Sequence, residues 1–495
     1  MNVSLGWIDL AILFVYSAVL IVMGWYFSKK SRTAEQFMVA GRNIPSWAVG
    51  LAVMSTYTSS ISYIATPGKS FDTNWHPIIF SICIFPVAWV TCRYVVPFYR
   101  KLEIISVYEF LEHRLGVWAR IYAAFSFLLF MIGRVAVILY LVSLLLCTFV
   151  PWNIVLVIVG IGLITVTYTL MGGMEAVIWT DVMQSMIMIV GIIVCAGILT
   201  FDVFSGSEPA IQAAWDAGKF NFGSWNFDLS SRTLWVMIIY GVTENLRNLI
   251  ADQNYVQKYS TAPTTRDATR SIWIAMLIYI PLTVIFLYIG TSLFAFYSSA
   301  GHALPATITK GDAVFPYFIA TEVPPIIKGL VIAAIVAAAM STVDSALNCS
   351  ATVSLVDFWK RFFRTRTSDA DDVKFLRRMT FVWGLVGTLF ALFMIRAQSA
   401  LDVWWQISGI CGGGILGLFL LALFNVPLKP WQGIIAIGFS ILVITWGTFW
   451  AKDILDGIIV GAVGTVALLL CAGLFVFVNK LSRQDPLDRL PTLNE

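Results

Sequence analysis

Charge is what this chain lacks most. Only 12% of its 495 residues are Asp, Glu, Lys or Arg, and only three are histidine. No soluble domain of this length combines that shortage with 59% hydrophobic residues and a mean hydropathy of +0.83, so the chain reads as an integral membrane protein. The histidine shortage argues against a zinc site: His76, His113 and His302 stand at no metal-ligand spacing from one another or from a cysteine. The seven cysteines form no CxxC and mostly lie inside apolar segments, where they read as free thiols acting as small hydrophobes. A net charge of +4 calls for no nucleic-acid partner, because basic cytoplasmic loops account for it. No nucleophile, metal or cofactor constellation emerges, so the chain does not read as an enzyme.

Long apolar runs separated by short polar loops fit spanning helices, not the alternating ten-residue strands of a membrane barrel. The length rule predicts an all-α protein of about thirteen transmembrane helices. Their expected centres are Val15, Val53, Phe85, Phe130, Gly160, Ile189, Ile239, Tyr279, Ala338, Thr388, Cys411, Ile441 and Val466. The first apolar segment has no Lys or Arg before it and is followed by Lys29, Lys30 and Arg32. That polarity is the reverse of a signal peptide and predicts a retained helix with its N-terminus outside. Alternate loops then collect the cations: Arg42; Arg100, Lys101, Arg114 and Arg120; Lys258, Arg266 and Arg270; Lys360, Arg361, Arg364, Arg366, Lys374, Arg377 and Arg378; Lys429; Lys480, Arg483 and Arg489. The positive-inside rule places these loops and the C-terminus in the cytoplasm. Segments 202–231 and 297–325, on the predicted outer side, read as partial lids, and segment 357–379 as a solvated helix extension.

Polar chemistry enters the apolar segments at a few places. Within Ala338 to Asn348, the residues Ser341, Asp344, Ser345 and Asn348 fall at i, i+3, i+4 and i+7 and share one helix face, with Thr342 at its edge. Such a face is either a seam of hydrogen bonds to neighbouring helices or an oxygen site for a hard cation such as Na⁺, and the carboxylate of Asp344 favours the ion. The stretch Ser55 to Ser62 puts seven hydroxyls into eight residues near mid-membrane, and Tyr240 to Asn248 interrupts a second apolar segment five helices later. Two such interruptions are the pattern of discontinuous helices in inverted repeats, whose unwound backbones bind substrate and ions. Asp181 is either an ion ligand or a helix-entry acid favoured by the dipole. Arg134, deep in the fourth helix, needs a carboxylate: that of Glu244, or that of an anionic substrate held bidentately. Glu244 and Arg247, at i and i+3, can instead pair with each other. Tyr57 and Gln406 are candidates to line a cavity, and the run Gly412 to Gly414 fits close helix packing or a flexing gate, not a phosphate loop.

These residues resemble the sodium/solute symporter family. The resemblance rests on the hydroxyl-rich second helix, on Gly172-Gly173 through Trp179-Thr180-Asp181-Val182-Met183-Gln184, on Asp252-Gln253-Asn254-Tyr255-Val256-Gln257-Lys258-Tyr259, and on Ala337 through Asn348. It implies a leucine-transporter-like fold of two inverted five-helix repeats. The expected organisation is an extra helix and loop at 1–45, a ten-helix core at 46–425, two further helices at 426–480 and a cytoplasmic tail at 481–495. It also implies sodium as the coupling ion, in one or two copies. One sodium would take the carbonyls of Ser55, Thr58 and Ala338 with the hydroxyls of Ser341 and Thr342, and a second would lie near Asp181, Ser341, Asp344 and Ser345. The pair Gly133-Arg134 is similar to one in the family's bacterial sialic acid carriers, where the arginine holds the substrate carboxylate. Carried over, Arg134 is assisted by Ser59, Ser60, Ser62 and Ser81, with Tyr57, Glu244 and Gln406 facing the same space. The chain departs from those carriers in having Asp344 where they have hydroxyls, and Tyr57 and Ser81 where they have Thr and Gln. The implied function is sodium-coupled import of a small organic solute bearing a carboxylate, such as sialic acid. A neutral sugar, polyol or amino acid carrier is the alternative, as is a membrane sensor built on the same fold. The oligomeric state is left open.

Overall fold

The computed structural model describes residues 5–150, 152–206, 209–298, 304–306, 308–363, 368–396 and 400–481, and every regular element among them is helical. We label the main helices α1 (Trp7–Ser28), α2 (Ser46–Tyr57), α3 (Ser60–Asp72), α4 (Ile78–Lys101), α5 (Val117–Phe149), α6 (Ile154–Gly206) and α7 (Leu234–Leu246). They continue as α8 (Gln253–Tyr259), α9 (Thr265–Ser298), α10 (Ile327–Val353), α11 (Asp369–Met394), α12 (Ala400–Leu423), α13 (Pro430–Phe449) and α14 (Val460–Leu481). Nine helices among the described residues are long and apolar enough to cross a membrane alone.

Two helices break where the sequence turns polar. α2 ends at Thr58 (φ −100°, ψ 90°), Ser59 is extended, and α3 restarts at Ser60. The hydroxyls of Ser55 and Thr56 both fold back onto the Ala52 carbonyl, at 3.0 and 2.9 Å, which bends a helix and competes with its ladder. The second break falls slightly later than Tyr240 to Asn248. α7 widens into a π-type turn over Arg247–Ala251, and the chain is extended at Asp252, whose carboxylate caps α8 by accepting from Asn254 N–H at 2.9 Å. α6 doubles back at Gly173, at φ +60°, where a Cβ would stand 2.9 Å from the Phe37 backbone, so both conformation and space require glycine.

α10 is the axis of the molecule. In its most apolar stretch 94% of the residues are buried, against 22% for α1. Its small side chains at Ala333, Ala334 and Ala337 to Ala339 admit close neighbours, and it packs on α6, α5, α1, α2 and α3. It continues in wide turns to Phe363, and the expected solvated extension is largely exposed or half-buried but carries two buried carboxylates. Asp357 is buried, accepting from Arg120 Nε at 2.7 Å and Ser106 Oγ at 2.6 Å, and Asp372 is buried against Lys360 Nζ at 2.5 Å. A buried carboxylate must be matched by cations and donors, and the charge in this segment supplies them. Arg120 also binds Glu112, which Arg361 meets from the other side. Burial pushes the Glu112 carboxyl up, but the two guanidiniums outweigh it and hold it below the usual carboxylate range.

Candidate functional site

A cavity of about 540 Å³ runs from the break between α2 and α3 to a mouth lined by Lys69, Asp72, His76, Arg232, Lys310 and Asp312. The mouth lies on the side that the charge pattern assigns to the exterior. Both candidate lids reach it: Lys219 Nζ donates to the carbonyls of Phe71 and Asp72, at 2.6 and 3.2 Å, and Gly311 N–H donates to Asp72 Oδ2 at 3.2 Å. A Cβ on Gly311 would stand 2.4 Å from the Gly68 carbonyl, so this loop seats on α3 only because the residue is glycine.

Of the expected substrate contacts, Arg134, Tyr57, Ser59, Ser62, Ser81 and Glu244 line the cavity. Ser60 does not: it is fully buried, off the lining, with no partner for its hydroxyl. The side chain of Gln406 lies outside the described residues. Ser81 shares a hydrogen bond with Thr283 at 3.0 Å, and Tyr57 packs between Tyr255 and Tyr279 at ring distances of 4.6 and 5.2 Å, making one aromatic wall.

The two arginines are held differently. Arg247 is buried, bonds both oxygens of Glu244, faces the Phe130 ring at 4.6 Å and lies 4.0 Å from Asp252. Gly412 gives it room, since a Cβ there would meet its Cδ at 3.3 Å. Arg134 donates to the Thr56 carbonyl at 3.0 Å, and among the described residues no carboxylate stands within ion-pair distance of it. Glu244 is therefore the partner of Arg247 and not of Arg134.

The expected ion ligands form two buried groups along α10. In the first, Ser341 and Thr342 both donate to the Ala338 carbonyl, at 3.2 and 3.1 Å, and α10 packs on α2, which carries Ser55, and on α3, with Thr58 in the break between them. All five residues are buried, and none is charged. Neutral hydroxyls and carbonyls on a helix break are the donor set a monovalent hard cation takes. In the second, Asp344 accepts from Tyr168 O–H at 2.8 Å, Ser345 Oγ at 3.2 Å and Thr180 Oγ1 at 3.4 Å. Thr180 precedes Asp181, and the two buried carboxyls lie close enough to act on each other electrostatically. Asp181 Oδ2 takes Lys258 Nζ at 2.7 Å, while its Oδ1 has no hydrogen-bond partner, nor has Gln184 Oε1.

Lys258 is the residue the sequence reading misplaced. It was expected among cytoplasmic loop cations, yet it is 0% exposed, with its ammonium also bonded to Ala52 O at 3.0 Å and Thr56 Oγ1 at 2.5 Å. Counting loop charges reveals only which side a lysine is near. The usable signal was its place on α8, among the fully buried Gln253, Asn254 and Gln257. Tyr16 and Tyr168 were also missed, since a tyrosine in an apolar helix carries no sign of which partner it meets.

A bundle of membrane-length helices, broken twice around a cavity that opens to one face, with buried oxygen clusters beside the breaks, defines a secondary active transporter. The profile of the sodium:solute symporter family matches residues 37–428, and the chain belongs to that family. It is 32% identical over 490 residues to the sodium/sialic acid symporter SiaT of Proteus mirabilis, covering 97% of this chain and 98% of that one. It is 29% identical over 497 residues to the sodium/sialic acid symporter NanT of Aliivibrio fischeri, covering 99% and 97%. Among solved structures, a Na⁺-coupled sialic acid symporter in a substrate-bound outward-open state superposes with a TM-score of 0.90 at 31% identity, over 98% of this chain and all of that one. A nucleobase-cation-symport-1 family transporter, at 15% identity and a TM-score of 0.55 over 90% and 95% of the two chains, shares the fold alone. The fold is thus the leucine-transporter type, and the protein is a multi-pass membrane symporter that couples solute to sodium.

Proposed function

We propose that the protein imports a carboxylate-bearing sugar of the sialic acid class, held through Arg134. The observation that carries this is the pairing of the arginines: Glu244 is occupied by Arg247, while Arg134 faces the cavity with Asp252 acting on it from a distance and no carboxylate at ion-pair distance among the described residues. A guanidinium at membrane depth is costly unless an anion meets it, and a substrate carboxylate fits its fork. Ser59, Ser62 and Ser81 offer hydroxyls to the sugar, and the Tyr57 wall covers its apolar face. The relatives named for sialic acid transport support the same class.

In this reading about thirteen helices cross the membrane. Ten of them form two inverted repeats of five over 46–425, α1 precedes them, α13 and α14 follow, and the N-terminus lies outside with the C-terminus in the cytoplasm. Solute enters the cavity from the outer side. One sodium then ties the broken end of α2 to α10 through Ser55, Thr58, Ala338, Ser341 and Thr342, which raises solute affinity, and the coupling is reciprocal. A second sodium belongs to the pocket of Asp181, Asp344 and Ser345, with Ser341 at its edge.

Uptake into proteoliposomes tests the substrate. Arg134→Ala removes a bidentate charge-assisted contact, and its Km for sialic acid should rise at least about 100-fold, equivalent to about 3 kcal/mol. Retained affinity for an anionic solute would assign Arg134 to the scaffold.

A further inference from the structure

Lys258 brings a third formal charge to the pocket where two carboxylates are expected to take sodium. Asp181, Asp344 and Lys258 are each wholly enclosed, at 0% exposure. Its ammonium has three N–H donors and three acceptors: Asp181 Oδ2 on α6, and Ala52 O and Thr56 Oγ1 on α2. Asp344, by contrast, accepts from hydroxyls and the Ser345 backbone N–H and has no cation at ion-pair distance among the described residues; two of those hydroxyls are also bonded elsewhere, Ser345 Oγ to the Ser341 carbonyl at 2.8 Å and Thr180 Oγ1 to the Ala176 carbonyl at 2.8 Å. With both carboxylates ionised, the three formal charges sum to one negative charge, and the oxygens left without a hydrogen bond are acceptors, Asp181 Oδ1 and Gln184 Oε1.

We infer that Lys258 is a resident cation that permanently fills one of two cation positions in this pocket, so that the pocket admits a single sodium, at the Asp344 side. The inference rests on the sodium-site reading above and adds to it what limits the number of ions. It also assigns the two oxygens of Asp181 separate tasks: Oδ2 belongs to the lysine, and Oδ1 remains for the ion. The geometry adds a mechanical consequence. Lys258 pins α2 to α6 through the hydroxyl of Thr56, whose carbonyl meets Arg134 and, at 3.3 Å, Tyr255 O–H. The resident charge and the substrate arginine thus share one residue at the helix break.

The test counts ions. Equilibrium binding of radioactive sodium to the purified full chain in detergent gives ions per protein, and sialic acid uptake in proteoliposomes gives the steepness of sodium activation. Lys258→Gln raises the excess to two negative charges, so binding should rise by one ion per chain and sodium activation should steepen. Lys258→Arg keeps the charge and should keep the wild-type count. In Lys258→Gln with Asp181→Asn the excess returns to one, and the wild-type count should return with it. A purely structural lysine would lower expression or melting temperature without moving the ion count. An unchanged count in Lys258→Gln overturns the inference, as does a raised count in the double variant. The double variant buries no unmatched lysine partner, so it still decides if the single fails to fold. Asp344→Ser in the same assay separates the two readings. An unaltered count there removes the sodium pocket itself, whereas a lowered count there beside an unchanged Lys258→Gln removes only the role of the lysine.

Discussion

The polar face of α10 carries two oxygen clusters of opposite character. Around Ala338, Ser341 and Thr342 there is no formal charge, whereas around Asp344 and Ser345 there are two carboxylates and a lysine. The neutral cluster costs little when no ion is there, since its hydroxyls have partners on their own helices: Ser341 and Thr342 bond Ala338 O, Ser55 bonds Ala52 O, and Thr58 donates to the Met54 sulfur at 3.5 Å. The charged cluster rests only with its carboxyls matched by a cation or protonated, because a buried carboxylate left ionised without a cation costs several kcal/mol. On the proposed reading, a neutral site can therefore follow the sodium concentration, filling and emptying during transport. The charged site must always be nearly balanced, and most of its balance is built in as Lys258.

Three further substitutions break or sharpen that contrast, beginning with the largest effect. Asp344→Ser makes the charged cluster neutral against its lysine, so the second sodium should be lost. Each sodium moved inward through a potential of about 100 mV contributes roughly 2.3 kcal/mol, so maximal solute accumulation should fall about 50-fold at that potential. Accumulation ratios measured against an imposed potential check this, and an unchanged ratio would end the special role of Asp344. Thr342→Ala removes one oxygen from the neutral cluster while leaving the charge balance untouched. Half-saturating sodium should rise about 10-fold with the ion count preserved, as read from uptake at saturating solute.

The smallest effect is at the cavity mouth. Burial, with Lys69 and Arg232 nearby, lowers the pKa of His76 to about 4. Its unfolded form takes a proton near pH 6.5 and its folded form does not, so stability is complete above that value and declines as pH falls toward 4. Between pH 7 and 5 the loss should be roughly 1–2 kcal/mol in thermal melts, and His76→Asn should flatten the decline without altering either cluster.

How far each feature was legible follows from how local its cause is. The break after Tyr57 was visible because hydroxyls that compete with a helix ladder are consecutive in the chain. The break near Asp252 was placed a few residues early: the charged pair Glu244 and Arg247 drew attention, whereas the chain opens past the π-type turn, at a capping aspartate. Arg134 was recognised as needing an anion, but sequence offered Glu244 and a substrate equally. The two are on different helices, and only packing showed that Arg247 takes the glutamate. Asp357 and Lys258 were read as loop and surface charges because their partners, Arg120 and Asp181, are 237 and 77 residues away.

By itself the sequence determined the membrane class, the orientation expected from its basic loops, the hydroxyl-rich break and the polar face of α10. All of these depend on composition or on helical spacing, which are properties of neighbouring residues. Only the tertiary structure decided which charge meets which: Arg247 with Glu244, Lys258 with Asp181, Arg134 with neither. In a low-dielectric interior that pairing sets the energy of every ionisable group, and it is made between helices whose order in space the chain does not spell out.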